Sequence, residues 1–452
     1  MPAAPLRLPR SLPLPALVAA IFGFVPMHSA QATTLLVTDC SDGADSGTLR
    51  NTIAVAPPDN STIQIPLKCS VVTVLGDIFI PNTISNMLIV GQGASATEIS
   101  AFRLGRAFYS FHTGTLTFQD VTITNGYYSK KANPLGGCIY AYGNVALDHA
   151  VVTNCAIAPL NDTTVLARGG AIFSLGNIYL SHSTVSGNTL SPTPSETSQG
   201  GGLFAAGGIY MRYSTVSGNS AYRGASAPAF SRGGGVFSAA GGVVIRNSTI
   251  SGNKAEYNSA IQANGNVADG FLTIEDSTIT GNVAGFTQTA GTSMAAIVTD
   301  STIAYNRVGV TTTSQPAGLY SSAQVKMYSS IFASNTGSTG TANDVSSGAA
   351  SNPLVGSHNL ITATSNAMPA GTSTACPRLG HLSNNGGPTL TIPLLANSPA
   401  LDTGAANGET TDQRGTGFPR PAGAAADIGA YERQPGAIDD VVFFSEFESR
   451  CD

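Results

Sequence analysis

The sequence predicts an all-β fold, a right-handed parallel β-helix (a solenoid) with an N-terminal and a C-terminal cap. Three observations predict this class. First, only 10% of the 452 residues are charged, against about 25% in an average globular protein. Second, a six-residue motif and a Gly-Gly motif recur in phase through the middle of the chain. Third, the segments between them are short, β-branched and alternate with period two, which is typical of strands and excludes helical repeats.

The six-residue motif reads Ser-Thr-Val-Ser-Gly-Asn at 183–188 and 214–219, with close variants at 248–253 and 277–282. Weaker copies extend the series in both directions, and successive copies start 24 to 34 residues apart. A unit of this size cannot bury its own apolar face, so the units must stack. A propeller blade needs about 40 residues or more, whereas one coil of a parallel β-helix fits this spacing.

The Gly-Gly motif begins at residues 136, 169, 201 and 234, which is 13 or 14 residues before the next copy of the first motif. Each unit therefore holds two or three short strands separated by turns. We expect Ile, Val, Leu and Phe to point into the core and Ser, Thr and Asn to point outward. The Asn that ends each motif is expected to hydrogen-bond to its equivalent in the next coil, about 4.8 Å away. These structural residues are Asn188, Asn219, Asn253 and Asn282.

The depletion of charge follows from the same architecture. Stacking equivalent residues at about 4.8 Å would bring like charges face to face. A net charge of −5 with only 21 basic residues also argues against a nucleic-acid partner, because such partners are bound through clustered Lys and Arg.

The N-terminus has the pattern of a secretory signal peptide. Arg7 and Arg10 precede an apolar stretch at 12–25, and Ala-Gln-Ala at 30–32 offers a cleavage site between small residues. Residues 1–32 are therefore interpreted as a signal peptide. This predicts an exported protein. No other segment is long and apolar enough to predict a transmembrane helix in the mature chain.

The rest of the chain divides into four regions. Residues 33–60 are interpreted as the N-terminal cap, in which 46–57 form a short amphipathic helix. Residues 61–375 carry the β-helix repeats. Residues 376–433 have a denser polar pattern and form a separate C-terminal region. Residues 434–452 form a tail that is either a last strand covering the open end or a sorting signal.

Within the N-terminal cap, Leu49, Ile53 and Ala54 are expected to cover the open end of the solenoid. Three nearby carboxylates could hold calcium, but their spacing matches no EF-hand loop and a turn role is preferred. These are Asp39, Asp42 and Asp45. No metal site or other cofactor is predicted, and the histidines, which share no spacing, are assigned no role.

The cysteine count predicts disulfides. Six cysteines, an even number, follow the predicted signal peptide, as is usual in exported proteins. Sequence alone leaves several pairings open. The order along the chain favours Cys40–Cys69, Cys138–Cys155 and Cys376–Cys451.

Two sets of motifs resemble known families. The Gly-Gly-Ala-Ile motif at 169–172 and the Ser-Gly-Asn-x-Ala pieces that end at Ala221 and Ala255 resemble the repeats of polymorphic outer-membrane proteins. Those are surface β-helical proteins linked to adhesion, so the resemblance implies a role in surface binding.

The C-terminal region supplies the second resemblance. Its motifs are Asn-Asn-Gly-Gly-Pro-Thr at 384–389, Ser-Pro-Ala-Leu-Asp at 398–402, Asp-Gln-Arg-Gly at 412–415 and Asp-Ile-Gly-Ala-Tyr-Glu at 427–432. They resemble the choice-of-anchor Q domain of secreted bacterial proteins. This resemblance implies a pectin-lyase-like β-helix in an exported bacterial protein that is either secreted or held at the outer-membrane surface.

Candidate functional residues are basic and aromatic. Arg168 and Arg232 precede two Gly-Gly motifs two coils apart, which predicts a separation of about 10 Å on one face. A polysaccharide lyase needs a base and a cation that neutralises the uronate carboxylate, and loops on one face of a solenoid commonly form its binding surface. Solvated loop residues without a role are the alternative. The loops on this side carry the lyase candidates Lys130 and Lys131 and the binding candidates Tyr127, Tyr128 and Arg223.

The densest charge cluster lies in the C-terminal region and includes Asp412, Arg414, Asp427 and Glu432. We interpret it as a salt-bridge network that closes the last coil rather than as a pocket. The leading functional hypothesis is therefore a non-enzymatic, adhesin-like protein that binds a polysaccharide or a cell-surface glycan. The alternatives are a lyase acting on an acidic polysaccharide and a structural envelope component. The oligomeric state is not predicted.

Overall fold

The computed structural model describes residues 33–437, except 59, 131–133, 159–165, 192–196, 223–229, 266–270, 287, 310–315, 338–342 and 349–352. The predicted signal peptide and nearly all of the predicted tail lie outside this range. Within the described residues, no helix combines the length and the apolar character needed to cross a membrane.

The described chain winds into a parallel β-helix whose three long sheets hold twelve, eleven and ten strands. Ten coils of the described chain contribute one strand to each long sheet, and the strands pair in parallel with those of the next coil. Short three-stranded sheets line some of the turns.

The strands have the following bounds. The twelve-stranded sheet contains Thr34–Leu36, Ser61–Gln64, Met87–Val90, Thr115–Gln119, Asn144–Asp148, Ile178–Ser181, Ile209–Arg212, Val243–Arg246, Leu272–Glu275, Ala296–Thr299, Val325–Tyr328 and Leu354–Ser357. The eleven-stranded sheet contains Val71–Thr73, Glu98–Ser100, Thr122–Thr124, Val151–Thr153, Thr184–Ser186, Thr215–Ser217, Thr249–Ser251, Thr278–Thr280, Thr302–Ala304, Ile331–Ala333 and Leu360–Ile361. The ten-stranded sheet contains Ile78–Ile80, Phe108–Ser110, Ile139–Ala141, Ile172–Ser174, Leu203–Ala205, Val236–Ser238, Ile261–Ala263, Ala290–Thr292, Leu319–Ser321 and Val345–Ser347. The short sheets contain Tyr127–Tyr128, Ala156–Ile157 and Thr189–Leu190; Leu166–Arg168, Thr197–Gln199 and Phe230–Arg232; and Lys254–Ala255, Val283–Ala284 and Arg307–Val308.

The core forms because alternate residues of each strand face inward. In Ile178–Ser181, Ile178 and Leu180 are buried in the core while Tyr179 is only half-buried. The parallel register places Ile178 against Ile209 of the next coil. Equivalent apolar side chains therefore stack along the whole solenoid, and burial of each stabilises the fold by about 1.5–3 kcal/mol.

The prediction that Phe residues point into the core is wrong for Phe173, Phe204 and Phe237. Each is the middle residue of a strand in the ten-stranded sheet. Its neighbours, such as Ile172, belong to the main core, while the three rings form a separate cluster with Tyr140. Successive side chains of a strand point to opposite faces, so these rings lie on the outer face of the sheet.

The prediction that the repeated Asn residues point outward is also wrong, because all of them are fully buried. Asn188 Nδ2 donates to Asn219 Oδ1 at 2.9 Å, and Asn219 Nδ2 donates to Asn253 Oδ1 at 3.0 Å. Each amide also bonds to backbone, as Asn219 Nδ2 does to the Val185 carbonyl. Burying a polar amide costs free energy only when its donors and acceptors are left unpaired, and the ladder pairs those of the Asn side chains. The ladder continues through Asn282, Asn306 and Asn335 to Asp344.

The N-terminal end is covered by the helix Leu49–Ala54, which lies within the predicted range. Thr48 caps it by accepting a hydrogen bond from the Asn51 backbone N–H, and Leu49 and Ile53 are buried against the core. Ala54 is exposed rather than buried, and Thr52 is the third buried helical residue. Successive residues of an α-helix are about 100° apart, so Ala54 lies beyond the buried face formed by Leu49, Thr52 and Ile53.

Two of the predicted disulfides are confirmed. Cys40 bonds to Cys69 and Cys138 to Cys155. The third predicted pair includes Cys451, which lies outside the described residues.

The C-terminal region, whose charge cluster is predicted to close the last coil, folds back along the flank of the solenoid. Met368, which precedes the C-terminal region, packs against the main core. Gln413 then bonds to Thr278 and Thr249, on coils far from the end. The region also buries Ile428 and Tyr431 against the eleven-stranded sheet. It therefore covers the outer face of the C-terminal coils of that sheet.

Candidate functional site

A continuous row of aromatic rings follows the outer face of the ten-stranded sheet. The register aligns the middle residues of successive strands. Ring centroids lie 4.4 Å apart for Tyr109 and Tyr140, 5.1 Å for Tyr140 and Phe173, and 5.3 Å for Phe204 and Phe237. These distances match stacked aromatic pairs, worth about 0.5–1.5 kcal/mol each beyond their burial. The row contains Phe79, Tyr109, Tyr140, Phe173, Phe204 and Phe237.

The row becomes solvent-exposed at its N-terminal end. Phe79, Phe111 and Tyr142 are 59%, 39% and 40% exposed. Phe111 contacts Phe79, Tyr109 and Tyr142 with centroid distances of 6.2, 4.6 and 5.7 Å. We name Phe79, Tyr109, Phe111, Tyr140 and Tyr142 the aromatic platform. It presents mutually packed rings to solvent, unlike scattered single hydrophobic residues, which are normal on a surface.

A polar row runs beside the stacked rings. Arg168, Gln199 and Arg232 occupy equivalent positions of three successive coils. Arg168 Nε donates to Gln199 Oε1 at 2.9 Å, and its guanidinium lies 4.9 Å from the centre of the Phe204 ring. Burial lowers the pKa of Arg168 from its usual value, but an arginine stays charged in proteins. The structure thus places the two arginines two coil steps apart in one row.

Arg232 is the more exposed of the two arginines. Its guanidinium lies 5.8 Å from the centre of the Tyr257 ring, which is half-buried. The guanidinium groups therefore rest on aromatic rings that limit their motion, which favours recognition of planar anionic groups such as carboxylates.

Arg106 joins the aromatic row to the turn that carries the tyrosine candidates. It is buried, forms an ion pair with Asp77 at 2.9 Å, and lies 3.7 Å from the centre of the Tyr128 ring. Tyr128 is buried, and its predicted binding role stays a prediction. Tyr127 is half-buried and lies under Arg103, at 4.3 Å.

Of the remaining loop candidates, Lys130 is exposed, while Lys131 and Arg223 lie outside the described residues. Sequence reasoning missed Phe79, Phe111 and Tyr142. A signal for the central row existed, because an aromatic residue follows each of the four Gly-Gly motifs, but the assumption that Phe points inward concealed it.

The C-terminal charge cluster holds that region against the flank. Arg420 lies 3.0 Å from Asp276, 3.8 Å from Asp300 and 3.2 Å from Glu432. Arg414 pairs with Asp412 at 2.6 Å. The Glu432 carboxylate also accepts hydrogen bonds from the backbone N–H groups of Ala422 and Asp427, and Asp427 accepts from Asp402 and Arg433. These groups are committed to one another, which indicates a structural role.

The carboxylates beside the N-terminal cap are likewise committed. Asp42 forms a bidentate ion pair with Arg50, at 2.8 and 2.7 Å, and also accepts a hydrogen bond from the Leu75 backbone. Asp39 accepts from the Ser41 backbone and hydroxyl, and these bonds lower the pKa of Asp39. Both side chains thus hydrogen-bond to the backbone of neighbouring turns.

Taken together, the parallel coils, the three long sheets and the inward stacking define a β-helix. Residues 106–303 match the family described as "Right handed beta helix region", so the predicted fold class is confirmed. No curated protein matches the sequence. Among solved structures, the crystal structure of pectate lyase Pel9A is similar, with 14% identity, a TM-score of 0.41, and coverage of 89% of this chain and 98% of that one.

Proposed function

We propose that this chain is an extracellular protein that binds a polysaccharide along the outer face of the ten-stranded sheet. The observation that carries the proposal is the aromatic platform. Its rings are packed against one another, open to solvent at Phe79, Phe111 and Tyr142, and continuous with the row that leads past the arginines. A contiguous apolar patch of this kind marks a binding surface.

The chemistry of the face supports a carbohydrate ligand. Aromatic rings offer large, rigid contact area with little loss of side-chain entropy, and their faces suit the apolar C–H surfaces of sugar rings. Tyr109 and Tyr142 add hydroxyl groups that can hydrogen-bond to sugar hydroxyls. A chain that runs parallel to the solenoid axis would meet an equivalent position at each coil, about every 4.8 Å.

The arginine row supports an acidic polysaccharide. Arg168 and Arg232 are separated by Gln199, which sets them two coil steps, or about 10 Å, apart. Guanidinium groups bind carboxylates with two parallel hydrogen bonds. Carboxylates that recur along one side of a polymer could therefore be bound at both arginines.

The disulfides support an extracellular setting. Such bonds persist in oxidising compartments and are rare in the cytosol, and two are present here. The proposal includes the signal peptide at residues 1–32 and the division of the chain into the predicted regions. It also includes the resemblances to choice-of-anchor Q and polymorphic outer-membrane proteins.

A binding experiment tests the proposal. Polygalacturonate, alginate and neutral dextran are titrated by calorimetry into the wild type, F111A/Y142A, R168A/R232A and the control L67A, whose side chain is a strongly exposed hydrophobe outside the face. We expect saturable binding of an acidic polymer, weakened at least tenfold by either double variant and unchanged in the control. Equal binding by all four proteins would overturn the proposed face.

The same samples separate binding from catalysis. The ultraviolet absorbance of unsaturated uronate products reports lyase turnover. Product formation that R232A abolishes would replace the binding proposal with the lyase alternative. Neither binding nor turnover with any polymer would favour a structural envelope component.

A further inference from the structure

Two histidines stack in successive coils on a different side of the solenoid from the aromatic platform. His149 and His182 each follow a strand of the twelve-stranded sheet, and both have positive φ, 50° and 48°. Their ring centroids lie 4.7 Å apart with planes inclined by only 2°. The ring of Tyr213 stacks on His182 at 5.0 Å. The turn geometry thus holds the two imidazoles side by side at the surface.

The Nδ1 atoms of both rings have partners on their own strands. His149 Nδ1 lies 3.0 Å from Asp148 Oδ1, and His182 Nδ1 lies 3.2 Å from Ser181 Oγ. Asp148 and Ser181 are paired in register. Histidines that bind a metal commonly donate their other ring N–H to a carboxylate or a second polar group. This arrangement directs both Nε2 atoms away from the strands.

We propose that His149 and His182 form a surface binding site for a divalent transition metal such as Zn²⁺, with their Nε2 atoms as ligands and Asp148 orienting His149. Potential ligand atoms of Asp148, His149 and His182 all lie within 4.8 Å of one another. Imidazole donors favour Zn²⁺, Ni²⁺ and Cu²⁺ over Mg²⁺ and Ca²⁺.

Binding needs a small adjustment of the rings. Two nitrogens at a Zn–N distance of about 2.0–2.1 Å and in tetrahedral geometry lie about 3.4 Å apart. The stacked rings must therefore tilt toward each other. The His149 side chain is 56% exposed and His182 is exposed as well, so the tilt displaces only water, which also supplies the remaining ligands.

Charges near the site act in both directions. Arg212, on the next coil, is exposed and repels a cation, while the Asp148 carboxylate attracts it.

The column of turns supplies conservative variants and a matched control. Asn247 occupies the same turn position as His149, three coils further along the solenoid. Its backbone is also left-handed, with a φ of 48°. H149N and H182N therefore preserve the local backbone, because Asn tolerates positive φ. His358 stands in the same column, also with positive φ, but next to Ser329 rather than another histidine, so H358N is the control.

Zinc chloride and nickel chloride are titrated by calorimetry into the untagged full chain, with calcium chloride as the metal control. We expect one Zn²⁺ per wild-type chain, affinity at least tenfold lower in H149N and in H182N, and unchanged affinity in H358N. Zn²⁺ should also raise the Tm of the wild type and of H358N, but not the Tm of H149N or H182N. Equal Zn²⁺ binding by all variants, or no saturable binding by the wild type, would overturn the proposal.

Discussion

At the residue scale, the buried Asn ladder shows what a repeated residue does in a solenoid. The repetition of Asn188, Asn219 and Asn253 predicted that they bond across coils, but not that they do so inside the turn. Sequence periodicity reports which residues are equivalent, while the direction of a side chain depends on backbone torsions at the turn, where Gly187 and Gly218 adopt positive φ.

The ladder makes a direct prediction for N219A. The change removes the amide that donates to Asn253 and Val185 and accepts from Asn188, leaving buried polar groups unpaired. We expect a loss of about 1–3 kcal/mol in the free energy of unfolding, measured by denaturant titration. The control N384A removes one exposed local hydrogen bond. An equal stability of the two variants would contradict the structural role of the ladder.

At the element scale, the C-terminal region is held by a cation buried among acids. Arg420 contacts Asp276 and Asp300 of the solenoid and Glu432 of its own region. The sequence indicated the charge cluster but not its partners on the solenoid. Asp276 and Arg420 are 144 residues apart, and a single contact at that separation does not appear as a repeat in the sequence.

Replacing this cation should release the region. R420M leaves three buried carboxylates without their partner, and removal of one member of a buried ion pair costs about 3–5 kcal/mol. We expect limited proteolysis to cleave between residues 376 and 437 in R420M while the circular dichroism of the β-helix is retained. R50M, which breaks a partly exposed pair at the opposite end, is the control. Protection of the region in R420M equal to that in R50M would contradict the account.

The same interface predicts a pH dependence. Burial, opposed by Arg420 and assisted by Glu409 and Glu275, raises the pKa of Asp300 to about 7. The folded state therefore holds this proton at pH values where the unfolded chain has released it. The resulting stabilisation is complete below the unfolded pKa of about 4 and is lost as the pH rises through 7. We expect the difference in Tm between D300N and the wild type to grow in favour of D300N from pH 5 to pH 8, and a pH-independent difference would contradict this pKa.

At the scale of the whole molecule, the coils of the solenoid were predictable and the placement of the C-terminal region was not. Each coil interacts with its neighbours through equivalent residues, so the repeat spacing in the sequence is the stacking pattern itself. The aromatic surface was predictable only in part. The row of stacked rings follows the repeat, but Phe111 and Tyr142 belong to coils that precede the first exact copy of the six-residue motif at 183–188.

The overall architecture assigns separate sides to separate roles. The C-terminal region covers the later coils of the eleven-stranded sheet, and the turn beside the twelve-stranded sheet carries the stacked histidines. The N-terminal end of the ten-stranded sheet presents the aromatic platform to solvent. Because loss of the C-terminal contacts alters none of the rings in the platform, we expect R420M to retain polysaccharide affinity within about twofold when its β-helix is intact, as measured by calorimetry.

The most direct test of the central claim is hydrogen–deuterium exchange of the wild-type chain with and without a saturating acidic oligosaccharide. Binding at the proposed face predicts added protection in the segments 78–80, 108–111 and 139–142, and in 166–168 and 230–232 beside them. The twelve-stranded sheet and residues 376–437 should exchange as in the free protein. Protection confined to the twelve-stranded sheet or to the C-terminal region would contradict the assignment of the ten-stranded sheet as the binding surface.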